Sequence, residues 1–225
     1  MIFSEIDVHV NTRHAEEPAA RHRAFRLRIN HIVDSFWLRI PKGVKTRIIG
    51  KLNVNANSKP HDGEQFWDVD GIACVELHTP NVASIYRASQ PQAVKRVRQF
   101  LATGINIAAR YDRMFAKNMK LWRHLLATAH EEFDHELGIS RSHRSRIWRC
   151  DAVIRIGPKQ YHYDLLVRES KTDKLVERHR LKSTECLLPI YSGVGFSKLR
   201  WEGSEIVGLA KDGTQVFRVS TGLPS

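Results

Sequence analysis

The chain has 225 residues, 36 Lys+Arg against 24 Asp+Glu, a formal net charge of +12 and 42% hydrophobic residues. That is enough apolar material for one large packed domain or two small ones, and the strong positive balance points toward polyanionic partners. No run approaches the roughly 18 to 20 apolar residues that cross a bilayer, and MIFSEIDVHV alternates where a signal peptide would run continuously apolar. The three cysteines, Cys74, Cys150 and Cys186, are scattered and odd in number, so a disulfide framework and a CxxC metal pair are both excluded and a reducing cytoplasm is expected.

In chain order, residues 2 to 10 predict a strand with Ile2, Ser4, Ile6, Val8 and Val10 on one face. Pro18 then opens a helix in which Phe25, Ile29, Ile32, Val33, Phe36 and Ile40 recur at three- and four-residue steps, running to about Arg39 before Pro41 and Gly43. Its polar side is expected to carry Arg21, Arg28, His31, Ser35 and Arg39. Residues 44–56 and 65–78 predict two further strands joined by the turn-rich NSKPHDGE. The opening is therefore a βαββ unit over residues 1–88.

Ser89 and Gln92 around Pro91 form a capping pair for a long helical region, 91–137, with a break or bend expected at Gly104. The helical middle is assigned to residues 89–140. From residue 141 onward the periodicity falls to two, predicting an antiparallel meander of about five strands, entered through the basic segment RSHRSRIWR. The fold class is α+β.

Two kinds of chemistry find little support. HEEFDHE, residues 130–136, separates His130 and His135 by five positions, where a zinc-binding helix needs four to align both rings, so no metal site is assigned. No GxSxG elbow, P-loop or dinucleotide fingerprint is present, and Cys74 and Cys186 sit among apolar strand residues, so no cofactor is assigned either.

The basic features are more coherent. Lys95, Arg96 and Arg98 occupy the first turns of the long helix; Arg141, Arg144 and Arg146 follow its far end; Lys198 and Arg200 lie beside Trp201 in the glycine-bearing SGVGFSKLRWEG. Guanidinium groups pair with phosphate in a bidentate fork and aromatic rings stack on unpaired bases, so these residues are candidates for RNA contact. On the helical wheel His31 falls opposite Phe25, Ile29 and Phe36, and is expected to be exposed beside Arg28, where it would move protons around a bound phosphate.

This order of parts resembles the CRISPR repeat endoribonucleases, which cut repeat RNA into guide RNAs without a metal. The resemblance rests on the short first strand, the proline-started helix bearing His31, the βαββ opening, the helix with Lys95, Arg96 and Arg98, and the late glycine loop. It implies a ferredoxin-like unit at the N-terminus, His31 as general base or acid, Arg28 stabilising the pentacoordinate phosphate, and Lys95, Arg96 and Arg98 along the backbone of a hairpin RNA. It also implies that the enzyme stays with its product and other subunits in a ribonucleoprotein. The helical region is longer than that family's, the glycine run is sparser, and the C-terminal meander does not repeat the βαββαβ pattern.

A different class fits the same composition. An immunity or antitoxin protein, without catalysis, would use its basic surface to cover an acidic toxin. An RNA-binding subunit that does not cut RNA is the third reading. A membrane partner is not expected.

Overall fold

Ile6, Val8 and Val10 alternate with polar residues in the first strand, β1 (Glu5–Asn11), and all three are buried. The computed structural model describes residues 1–11, 19–58, 65–80, 82–129, 132–158, 160–185 and 195–224, which fall into two compact units, Met1–Glu131 and Glu132–Ser225. Both helices and strands are well represented, giving a mixed α+β protein with open sheets. No described helix is long and apolar enough to cross a membrane. Cys186, His130, Glu131 and the first residues of the glycine loop, 192–194, lie outside the described residues.

In the first unit β1 leads through α1 (Ala19–Leu38) to β2 (Lys51–Asn57), then to β3 (Phe66–Val69) and β4 (Ile72–His78). The helices α2 (Val82–Arg87), α3 (Gln90–Tyr111), α4 (Arg113–Ala116) and α5 (Met119–Thr128) follow. The sheet order is β1-β2-β4-β3; β1, β2 and β4 are mutually parallel and β3 is the antiparallel edge. The order strand, helix, strand, strand is present, but the pairing differs from a ferredoxin-like unit. There a further strand separates the two parallel strands of the βαβ, whereas β1 and β2 here are direct neighbours. Alternation along β2 sends Leu52, Val54 and Ala56 into the core and leaves Asn53, Asn55 and Asn57 half-buried on the opposite face.

Four local expectations are corrected. The stretch 65–78 is a β3–β4 hairpin, because Asp70 and Gly71 both take positive φ, 52° and 81°, as a two-residue turn of this type requires. The strand expected from residue 44 starts at Lys51. The long helix does not break at Gly104: α3 runs through it, and a Cβ there would come within 2.4 Å of a methyl of Val54, so the glycine permits close approach of helix to sheet. The helical region ends at Thr128, and β5 (Phe133–Ser142) begins where helix was expected, since Phe133, His135, Leu137 and Ile139 step by two.

Around Trp122 the core is aromatic. Its ring meets Phe3 edge-on at 5.2 Å and stacks on Phe115 at 4.8 Å, while its indole N–H donates to the Phe115 carbonyl at 3.0 Å.

The second unit is antiparallel throughout but forms two sheets, where one meander was expected. The first orders β5, β6 (Trp148–Ile156), β7 (Gln160–Glu169) and β8 (Leu175–Glu185) in sequence; the second has β10 (Glu205–Leu209) between β9 (Lys198–Glu202) and β11 (Gln215–Ser220). A core of Cys150, Ala152, Leu165, Val167, Phe196, Leu199, Trp201 and Ile206 joins them.

Candidate nucleic-acid interface

Between residues 77 and 129 the sequence holds nine Lys and Arg and a single carboxylate, Asp112. That carboxylate is fully buried. Its Oδ2 accepts the backbone N–H groups of Arg47 and Ile48 at 2.8 Å and of Ile49 at 3.3 Å, and its Oδ1 accepts those of Met114 and Phe115 at 2.9 Å. Burial alone would raise its pKa, but the bonds from Ile48, Phe115, Arg47 and Ile49 prevail and hold it below the ordinary value. Helices α2 to α5 therefore present cations with no exposed acid among them.

Arg87, Lys95, Arg96, Arg110, Arg113, Lys117, Lys120 and Arg123 are exposed and Arg98 is half-buried. None of the nine makes an ion pair with a described residue. Ser89 donates its N–H to the Gln92 side chain at 3.0 Å and Pro91 sits in the first turn, so α3 starts as its sequence predicts and displays Lys95, Arg96 and Arg98 one turn later. Two concavities flank this turn. One, of about 420 Å³, brings Lys95 and Arg96 together with Ser84, Gln92 and Gln99; the other, of about 600 Å³, sets Lys95 and Arg98 beside Val94, Ala102 and Leu126.

In the second unit the charge is arranged differently. Seven of its ten arginines are ion-paired, among them Arg178 and Arg180, which both hold the buried Asp164, at 2.7 and 2.6 Å. The remaining three are Arg141, Arg144 and Arg146, all exposed and without an ion pair among the described residues. Arg144 and Arg146 ride the β5–β6 hairpin, where Arg146 takes a left-handed φ of 58° and its N–H bonds the His143 carbonyl at 3.0 Å. Arg141 joins Lys198 and Arg200 around a groove of about 430 Å³ between β5 and β9. Arg200 is already held there by Glu202.

Trp201 is 9% exposed and donates its indole N–H to the Arg141 carbonyl at 3.0 Å, so its ring belongs to the core and is no platform for a base. Within the segment expected to be a glycine loop, the described residues from Lys198 form β9 and the turn at Gly203. Asp134, part of the HEEFDHE string, lies on a strand and is engaged by Arg178.

His31 is buried, at 4% exposure, which corrects the expectation of a solvent-facing ring. The reason is packing on several sides: α1 contacts β1, α2, α3 and α5, so even its polar stripe, including Ser35, is enclosed. Arg28 donates to the Tyr86 carbonyl at 2.6 Å, and its own carbonyl accepts from Gln90 at 3.0 Å. These two side chains tie α1 to α2 and α3.

No family model, curated protein or solved structure matches the chain. Sequence reasoning about charge clusters found Lys95, Arg96 and Arg98 but passed over Arg87, Lys117, Lys120 and Arg123. The signal for them was the shortage of acids across residues 77–129, not any local density of bases.

Proposed function

We propose that the protein binds structured RNA through helices α2 to α5 of its first unit, with Lys95, Arg96 and Arg98 at the centre of the contact; Arg141, Arg144 and Arg146 form a separate set of exposed cations on the second unit, proposed to meet phosphate in their own right. The observation that carries this reading is the segment 77–129, whose nine Lys and Arg face a single carboxylate, buried at Asp112. Cations on a folded protein are ordinarily interspersed with carboxylates, as the second unit illustrates, and a layer without them releases counterions from a phosphate backbone at no competing internal cost.

An acidic protein partner is the competing occupant. Protein interfaces are anchored by buried aromatic and aliphatic side chains. The exposed residues around the α3 cations include Gln92, Gln99, Thr103 and Asn106, whose side chains suit phosphate and ribose, while the concavity beside Lys95 and Arg98 also holds Val94, Ala102 and Leu126 and would serve a protein partner. RNA cleavage by His31 receives no support from a ring at 4% exposure, so the proposal is binding without His31 chemistry.

Direct titration of a hairpin RNA into the full-length protein tests it. The Lys95→Ala, Arg96→Ala, Arg98→Ala triple variant is expected to lose tenfold or more in affinity at unchanged thermal stability. Equal affinity of variant and parent would remove the assignment.

A further inference from the structure

The second unit holds a cationic groove that its arginine–carboxylate network leaves uncompensated. The groove, about 430 Å³, lies between β5, an edge strand of one sheet of that unit, and β9, an edge strand of the other. Arg141 and Lys198 both line it; both are exposed, and neither makes an ion pair with a described residue. Arg200, the third cation of the groove, is already matched. It is held by Glu202, whose other carboxylate oxygen takes Arg218 at 2.7 Å, and Arg218 in turn holds Glu205 at 2.5 Å. That set of two cations and two acids is neutral. The described residues lining the groove include no Asp or Glu, so Arg141 and Lys198 leave two positive charges open there.

Like charges drawn into one concavity repel each other, and an entering anion relieves that repulsion. The groove is also built for access. Along β5 the ladder with β6 jumps from Glu136 opposite Val153 to Ser140 opposite Asp151, a longer step on β5 than on β6, and Gly138 within the jump takes a φ of 72°. A Cβ placed on Gly138 would meet no atom within 4 Å, so the main chain there lies open to a ligand. Ser140, exposed, adds a hydroxyl, and the half-buried Ile139 and Leu209 give an apolar wall beside the cations.

We propose that this groove binds a phosphate monoester, its dianion between the Arg141 guanidinium and the Lys198 ammonium and its organic part against Ile139 and Leu209. The charge count selects the ligand. A monoester carries about two negative charges near neutral pH, whereas a carboxylate or an internal phosphodiester carries about one and leaves a cation unmatched. Arg141 supplies a planar fork for two oxygens, Lys198 a point charge for a third, and the Ser140 hydroxyl a further donor. A volume of about 430 Å³ falls within the roughly 300 to 1,000 Å³ of small-molecule sites and leaves room for an organic group beyond the phosphate. The monoester comes from a free nucleotide or from the 5′ end of an RNA strand. Only the second source rests on the RNA reading above, to which it adds a preference for an end over the interior of the chain.

The test titrates AMP, cyclic AMP and adenosine, which share base and ribose and differ in phosphate charge, into the full-length protein by calorimetry near neutral pH. It then compares one hairpin RNA carrying a 5′-phosphate or a 5′-hydroxyl. AMP is expected to bind about tenfold or more tightly than cyclic AMP. Arg141→Gln with Lys198→Gln, both at exposed positions, is expected to abolish that preference, whereas Lys171→Gln with Lys174→Gln, which removes the same charge at the β7–β8 turn, is expected to keep it. The Lys95→Ala, Arg96→Ala, Arg98→Ala variant is expected to lose affinity for both hairpins and keep their ratio, so failure of the RNA contact and failure of this site read out separately. Tighter binding of the 5′-phosphate hairpin assigns the monoester to an RNA end; AMP selectivity without an end effect assigns it to a free nucleotide; both support the site. Absence of selectivity in both comparisons with the parent protein, or a full preference retained by the Arg141→Gln, Lys198→Gln variant, overturns it.

Discussion

The Oδ2 of Asp112 accepts the N–H of Ile48 at 2.8 Å, joining the start of α4 to the loop that enters β2 across 64 residues of chain. With its companion bonds from Arg47, Ile49, Met114 and Phe115, this one side chain serves as a helix cap and as an anchor for a strand entrance. The same burial that makes the bonds strong takes the charge away from the surface of the helical layer.

Replacing Asp112 by Ala should therefore destabilise the protein by about 3 kcal/mol, since several buried N–H groups lose a charged acceptor. Chemical denaturation of parent and variant measures it. The carboxyl is held below its ordinary value in the folded state, so its contribution is present above the unfolded pKa of about 4 and lost as pH falls through the folded value. Asp112→Asn should show a shallower loss of stability with acid than the parent.

At Gly104, Ala should destabilise by about 1 to 3 kcal/mol even though Ala favours helix by about 1 kcal/mol, because the added methyl meets Val54. Adding Val54→Ala to Gly104→Ala should recover part of that loss. Strict additivity of the two single effects in denaturation experiments would contradict the packing explanation.

His31→Ala should lower stability by roughly 1 to 3 kcal/mol, as expected for a buried polar side chain packed on several sides, and leave hairpin RNA affinity unchanged. Hairpin RNA incubated in EDTA should remain intact with both proteins. Metal-free cleavage by the parent that disappears in the variant would show that substrate reaches this ring.

Burial, followed by the nearby Asp151 charge, pushes the Cys150 thiol up to about 12. At pH 8 the folded protein should leave Cys150 unmodified by iodoacetamide, and unfolding should expose it, as peptide mass mapping will show.

Much of this architecture is legible in the residues. The 3/4 spacing from Phe25 to Ile40 yields α1, and the Ser89 and Gln92 pair marks the start of α3. What escapes is what depends on partners. His31 looks exposed on a wheel because a wheel assumes one buried side, while α1 is covered on several. Gly104 looks like a break because propensity is local, and the contact with Val54 is not. Trp201 sits among cations in the sequence, yet its indole N–H finds the Arg141 carbonyl on a strand 60 residues away. The DG turn at Asp70 and Gly71 and the period of two from Phe133 to Ile139 were both present in the sequence, each masked by a longer pattern around it. The buried oxygens of Glu76 and Asn53, without a hydrogen-bond partner among the described residues, have no signature at all until β2 and β4 are in register.

The salt dependence of hairpin RNA affinity tests the proposed contact through the cations of α2 to α5 most directly. Each cation that displaces a counterion adds about 0.7 to 0.9 to the slope of log K against log salt, so parent protein should show a steep linear decline and the Lys95→Ala, Arg96→Ala, Arg98→Ala variant a slope smaller by about 2 to 3. Identical slopes for the two proteins, or an affinity for RNA that ignores salt, would contradict the account.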